Sequence, residues 1–266
     1  MTEENILFVE TKGHVGTLTL NRPHKRNALS PDLLSKLYQA FQEIGQNDNI
    51  RTIVLRGTGD KVFSAGYDIA AIPTDPPEDL PERLKEENPL DLALAGIQAY
   101  PYPVIAMLNG HAFGAGCELA ASCDIRIAAD DIKMGIPAAK LGLVYPLRGL
   151  MQYIQTIGFS FTSELLFTGR PIDAARALDI GLINYALPRA ELETFTNDMA
   201  QEIAGNAPLA LKGTKRILGL IRQSFNMPED HFKEAETIIA RTFNSEDLKE
   251  GQAAFLEKRK PVFQGR

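Results

Sequence analysis

Short β-branched runs separated by turn signals and helical periods fill the first half of this 266-residue chain, and after about Leu147 the strand signals nearly vanish. That asymmetry constrains the fold more than any other feature. Ile6 to Glu10 and Val15 to Leu20 read as a strand pair joined through Lys12-Gly13, and Arg51 to Arg56, Val104 to Leu108 and Asp124 to Ala128 read as further strands. Between them Ser30 caps a helix with Pro31 at its first position and Asp32 in its first turn. Leu33, Leu34, Leu37, Phe41 and Ile44 then recur at helical spacing as far as Gly45. This is an α/β pattern. Beyond Leu147, Asp173 can cap Ala174 to Leu178, and Pro188, Pro208 and Pro228 open helical segments that run to Ala204, to Arg222 and through Ile238 and Ile239. The C-terminal half is expected to be mostly a helical layer. No repeat of solenoid period is visible, although the strand-helix units could be turns of one spiral.

Composition narrows the classes of function. With 44% hydrophobic and 23% charged residues, two Cys and no Trp, the chain is neither a disulfide scaffold nor a collagen-like or disordered one. A folded chain of nearly this size buries about three-quarters of its unfolded surface, enough for a full core and a site without metals or staples. Its 28 Lys and Arg against 34 Asp and Glu leave a net charge of −6. That balance argues against a protein that wraps a long polyanion, whose affinity comes from phosphate neutralisation, but allows a small anionic ligand held by a few local cations. Met1 to Glu10 has no basic region followed by an apolar run, and no stretch reaches the length of a membrane span, so a cytoplasmic protein is expected. Cys117 and Cys123 lie six apart without a CxxC, and His14, His24, His111 and His231 lack ligand spacing, so no metal is expected. Pro73 to Asp91 holds five prolines and seven acids, and reads as an excursion over the surface, either a variable loop or a lid.

Two segments carry candidate chemistry. In Val62 to Ile69, VFSAGYDI, the small residues Ser64, Ala65 and Gly66 let the chain turn sharply and let a ligand approach, leaving the Tyr67 amide free to point outward. Taken alone it could be any strand-to-loop turn. In Asn109 to Leu119, NGHAFGAGCEL, a glycine-rich turn joins a strand to an alanine-rich helix and exposes the orphan amides of the helix start, a site for developing negative charge. Its glycines at 110, 114 and 116 do not make GxGxxG, and no P-loop is present. Glu118 is either a favourable acid of the first helical turn or a catalytic group.

NRPHKRNAL (Asn21 to Leu29), VFSAGYDI, NGHAFGAGCELAASCDI (Asn109 to Ile125), FTGRPIDAARALDIGLIN (Phe167 to Asn184) and FLEKRKPVF (Phe255 to Phe263) occur in the order in which they stand in the crotonase, or enoyl-CoA hydratase/isomerase, superfamily. The sequence resembles that family over essentially its whole length. The resemblance implies a spiral of ββα turns as a catalytic core over residues 1–200, and a helical trimerisation region over 201–266. It implies an acyl-CoA thioester as substrate, with coenzyme A part of that substrate and no separate cofactor, and a homotrimer or dimer of trimers. The shared chemistry is stabilisation of a thioester enolate by two backbone amides, which fall on Tyr67 and Ala115. Ala28, Ala65, Gly66, Asp68, Ile69, Gly114, Pro137 and Ala138 would line the acyl site, and Lys25, Arg26 and Lys258 would meet the CoA phosphates, Lys258 from a neighbouring subunit or its own.

Two departures from the family pattern bear on the reaction. Similar hydratases place one carboxylate where Glu118 stands and a second after a proline that aligns with Pro137; here that second position is Ala138, which moves no proton. Hydration needs both delivery of water and protonation of the α-carbon, and each positioned acid or base is worth about 10²–10⁴ in rate. Tyr145 stands in GLVYPLRG (Gly142 to Gly149) where hydratases usually carry proline. Together these features resemble the methylmalonyl-CoA decarboxylase subgroup, and imply a lyase that decarboxylates a short malonyl-type acyl-CoA. Tyr145 would orient the substrate carboxylate or reprotonate the enolate, or is a packed aromatic at a helix entrance. The alternatives are a hydratase or isomerase with Glu118 as its one acid, and a non-catalytic acyl-CoA-binding subunit.

Overall fold

The computed structural model describes residues 5–71, 88–223 and 228–266. Strand β1 (Leu7–Lys12) runs antiparallel to β2 (Val15–Leu20), and from β2 onward a six-stranded sheet is parallel, through β3 (Thr52–Gly57), β5 (Val104–Leu108), β7 (Ile125–Ala129) and β10 (Tyr185–Leu187). Parallel strands covered on both faces need apolar residues in unbroken runs rather than alternation, and all five residues of β5 are buried. A second, four-stranded sheet is made of shorter pieces in the order β4 (Val62–Ser64), β6 (His111–Phe113), β8 (Lys133–Gly135) and β9 (Ile172–Asp173). Three times the chain runs through a long strand of the first sheet, a short strand of the second and then a helix, which gives the ββα spiral of the crotonase fold.

The long strands and α1 (Pro31–Gly45) lie within a residue or two of where the sequence puts them, and Ser30 Oγ accepts from the Leu33 amide at 3.3 Å as the cap. The second strand of each ββα turn follows from the family resemblance and not from the local pattern. Strands of two or three residues are too short to carry a period, and β6 is hidden inside the glycine-rich turn. After Leu147 the strands among the described residues are β9 and β10, of two and three residues, in keeping with a second half that is mostly helix. Of the expected excursion from Pro73 to Asp91, residues 73–87 lie outside the described residues, and its end is helix. Asn88 accepts from the Leu90 amide and opens α2 (Pro89–Ala99), whose Leu90, Ala93, Leu94 and Ile97 are buried and which packs on α1. The count of prolines and acids obscured that apolar spacing.

After α3 (Ala115–Ala121) come α4 (Leu147–Thr168), broken at Gly158, then α5 (Ala174–Asp179), α6 (Arg189–Gly205), α7 (Pro208–Gln223), α8 (Glu229–Phe243) and α9 (Glu246–Leu256). Asp173 caps α5, accepting from the Arg176 amide at 2.8 Å. α6 buries Leu192, Thr196 and Ala200 against the first sheet. α7 and α8 bury no residue fully, and they leave Leu209, Ile217, Leu218, Ile221, Phe232 and Ile238 exposed. α9 turns back to the core: it packs on the turn Ala138–Leu141, and Gln252 Nε2 donates to the Ile69 carbonyl at 2.6 Å. No helix among the described residues is long and apolar enough to cross a membrane.

Candidate active site

The first motif builds the loop that carries Tyr67. Asn27, 1% exposed, donates to the Thr58 and Val62 carbonyls at 3.1 and 2.8 Å and accepts from the Arg22 amide at 3.0 Å. Ser64 Oγ donates to the Asn27 carbonyl at 2.9 Å and accepts from the Gly66 amide at 3.2 Å. Arg22 donates to the Ala28 carbonyl at 2.6 Å and forms an ion pair with Asp68 at 3.2 Å, fastening the residue after Tyr67 to the first motif. A parallel bridge between Leu29 and Tyr67 completes the join, with the Leu29 amide on the Gly66 carbonyl at 2.8 Å and the Asp68 amide on the Leu29 carbonyl at 3.0 Å. Arg22 was not among the residues picked from the sequence; its adjacency to Pro23 gave no sign that its partner lies 46 positions on.

That loop lies against the start of α3. A Cβ placed on Gly66, whose φ is +95°, would stand 2.6 Å from the Phe113 carbonyl oxygen and 3.4 Å from the Ala115 nitrogen, so glycine is required and the Tyr67 and Ala115 segments are neighbours. Gly114 precedes Ala115 and donates to the Gly135 carbonyl at 2.8 Å. Neither the Tyr67 nor the Ala115 amide donates to any acceptor of the described residues. Two free backbone donors side by side at a helix start are suited to an oxygen that gains negative charge.

In the first turn of α3 Glu118 is 2% exposed, and its Oε2 accepts from the Tyr145 hydroxyl at 2.7 Å. Burial pushes the Glu118 carboxyl up to about 7; the Tyr145 bond and Arg148 pull it down, and Asp91 pushes it further up. Asp91, on the first turn of α2, is itself raised above the usual carboxylate range by burial, against the pull of Arg148. Tyr145 is pushed well above its ordinary value by burial, so it is a donor at neutral pH. The pair meets over Gly149, where a Cβ would stand 2.3 Å from Tyr145 Cε1 and 2.7 Å from Glu118 Oε1. Arg148 donates to the Asp91 carbonyl at 3.0 Å and to Gln98 at 3.1 Å, Gln98 donates to Gln152 at 3.1 Å, and Gln152 donates to the Ala121 carbonyl at 2.8 Å. This chain ties α2 and α4 to the end of the helix that holds Glu118. Sequence reading missed Asp91, Arg148 and Gly149 as parts of this cluster, since each becomes relevant only when α2 and α4 pack on α3.

Pro137 and Ala138 head the turn on which α9 rests, both half-buried. Ala65 is exposed, Ala28 and Ile69 are half-buried, and the Ala28 and Ile69 carbonyls are taken by Arg22 and Gln252. Lys25 and Arg26 are exposed beside the Tyr67 loop, where the Arg26 carbonyl accepts from the Ala65 amide at 3.0 Å. Lys258 is exposed just past α9, and no hydrogen bond or ion pair links it to Lys25 or Arg26. Cys117 and Cys123 are buried thiols, each pushed up to about 12 by burial. Among the described residues no cluster of His, Cys, Asp or Glu is placed to hold a metal.

The sequence matches the family model for enoyl-CoA hydratase/isomerase over residues 10–266. It is 37% identical to methylmalonyl-CoA decarboxylase of Escherichia coli, with 97% of each chain covered. It is also 37% identical to an enoyl-CoA hydratase of Mycobacterium tuberculosis, with 97% of this chain and 96% of that protein covered. A solved structure of methylmalonyl-CoA decarboxylase in complex with 2-nitronate-propionyl-CoA superimposes with a TM-score of 0.91 at 36% identity, covering 98% of this chain and 99% of that one. Equal identity to a decarboxylase and a hydratase leaves the choice of reaction to the residues of the site.

Proposed function

The chain belongs to the enoyl-CoA hydratase/isomerase family, whose crotonase-type members act on acyl-CoA, and on that premise we propose that it decarboxylates a short malonyl-type acyl-CoA such as methylmalonyl-CoA. The observation that carries this reading is Ala138, a methyl group at the head of the Ala138–Leu141 turn where the family resemblance calls for a hydratase's second carboxylate. Hydration of a conjugated thioester needs that group; loss of CO₂ does not. In the proposed reaction the thioester oxygen sits between the Tyr67 and Ala115 amides. The bond from the α-carbon to the carboxylate breaks, its electron pair passes into the enolate, and CO₂ departs without any base. The α-carbon then takes a proton, for which Tyr145 and Glu118 are the candidate buried donors. Each backbone donor of this kind is worth about 10²–10³ in rate.

One observation favours a second reading. Arg148, next to the Gly149 over which Glu118 and Tyr145 meet, holds the Asp91 carbonyl at 3.0 Å, which brings to the pair a second acidic residue that the sequence does not align there and that hydration would draw on. Parallel assays on methylmalonyl-CoA and crotonyl-CoA separate the two. We expect CO₂ release in proportion to enzyme, with crotonyl-CoA little changed. Absence of release from a panel of malonyl thioesters overturns decarboxylation, and tight CoA binding with no turnover on either substrate makes the protein a binding subunit instead.

The same reading takes Lys25, Arg26 and Lys258 as contacts for the CoA phosphates and the exposed apolar residues of α7 and α8 as the surface that a homotrimer or dimer of trimers covers. It takes the enzyme to be cytoplasmic and to need no cofactor beyond the CoA of its substrate.

A further inference from the structure

Behind the Glu118–Tyr145 pair lies a third buried polar group. Tyr153, on the second turn of α4, is 0% exposed, and its hydroxyl makes no hydrogen bond of full geometry among the described residues, although it stands near enough to the Tyr145 hydroxyl to interact with it. The buried phenols of Tyr100 and Tyr102 behave otherwise: they donate to the Ile50 and Asp48 carbonyls at 2.6 and 3.4 Å. A buried hydroxyl without a well-formed bond costs stability that phenylalanine would not, so its presence calls for a use. The Tyr153 ring centroid is 5.9 Å from that of Tyr145, at an inclination of 59°. Cys117 and Glu118 from α3 and Tyr145 face the Tyr153 phenol, while Asp91 from α2 and Arg148 from α4 are the other charges acting on Glu118. Cys117 Sγ is turned to the Ala112 carbonyl at 2.9 Å and does not compete for either phenol.

We propose that Tyr153 is a positioning residue whose hydroxyl donates to the Tyr145 oxygen in the working site, so that two phenols and the Glu118 carboxylate act as one line of donors. Tyr145 gives its single proton to Glu118 and keeps acceptor capacity on the same oxygen. A donor arriving there polarises the Tyr145 O–H and strengthens its bond to the carboxylate, as hydrogen bonds in series do in a low-dielectric interior. Burial holds both phenols protonated near neutral pH, so the line supplies orientation and charge stabilisation without itself ionising. The inference rests on Glu118 and Tyr145 being the proton-handling end of the site, which both readings of the reaction share.

Tyr153→Phe tests it in two ways. In the unliganded protein, carbon-13 NMR of labelled glutamate side chains, with Glu118→Gln to identify the resonance, follows the Glu118 midpoint near 7. We expect Tyr153→Phe to move it up by about half a pH unit, the loss of a fraction of one charge-assisted bond. In turnover, on whichever thioester the wild type uses, kcat falls several-fold with KM unchanged, and the limb of the pH profile moves with the midpoint. An unmoved midpoint or an intact kcat overturns the proposal. A wild type that releases no CO₂ overturns decarboxylation instead, and the titration decides the role of Tyr153 without it.

Discussion

The two halves of the proposed site, with the groups that reading assigns to them, are built by opposite means. At Tyr67 and Ala115 the working groups are backbone amides, and their placement depends on what the neighbouring residues lack: a side chain at Gly66, bulk at Ser64 and Ala65. At Glu118 and Tyr145 the working groups are side chains from elements 27 positions apart, held by burial and by a single bond of 2.7 Å. On that reading the first half would tolerate a change of side chain at Tyr67 or Ala115, because its donors are peptide amides. The second half depends on every residue packed around it. A family can therefore retain the first half across reactions and alter the second, which fits equal identity to a decarboxylase and to a hydratase.

The substitution expected to have the largest effect strikes the backbone half. Gly66→Ala forces a Cβ to within 2.6 Å of the Phe113 carbonyl at a φ of +95°, displacing the Tyr67 amide. We expect kcat to fall about 10²–10³-fold, the worth of one oxyanion donor, whichever thioester is assayed. Retained activity would mean that the Tyr67 amide is not part of the site. In the side-chain half, Gly149→Ala sets a methyl between Tyr145 and Glu118. Overpacking of that kind costs about 1–3 kcal/mol, readable by chemical denaturation, and parts the pair. An undisturbed Glu118 titration in that variant would show that the pair does not meet as described.

The remaining effect is one of pH and leaves the backbone half untouched. Glu118 goes from an ordinary value of 4.5 in the unfolded chain to about 7 in the fold. Below 4.5 both states hold the proton. Between 4.5 and 7 the unfolded chain gives it up while the folded protein keeps it, so stability falls as pH rises through this window and levels off above it. Glu118→Gln removes the fall and keeps an acceptor for Tyr145, so at pH 8 it should exceed the wild type by about 3 kcal/mol. Denaturation curves of the two proteins at pH 4 and pH 8 measure this. Equal stabilities at pH 8 would place the carboxylate in a better-solvated setting than its burial implies.

The same contrast governs how much was legible in the sequence. The Tyr67 and Ala115 turns declare themselves through glycine and small residues at fixed offsets from strands, and the long strands and α1 through their periods and caps. The short second sheet has no period to read, and α2 was hidden behind the acids and prolines before it. The polar wall of Asp91, Arg148, Gln98 and Gln152 joins residues up to 57 positions apart, and no local pattern marks them as partners. Glu118 could be read as a helix-start acid or a catalytic one until its burial and its bond to Tyr145 were known.

The bond from Gln252 to the Ile69 carbonyl spans 183 positions of chain. During synthesis the loop that presents Tyr67 is made early, yet it must wait for that tie until α9 has been translated and has folded back. A nascent chain therefore holds the motifs long before this tie can steady the loop, whose amide, on the proposed reading, would meet the thioester.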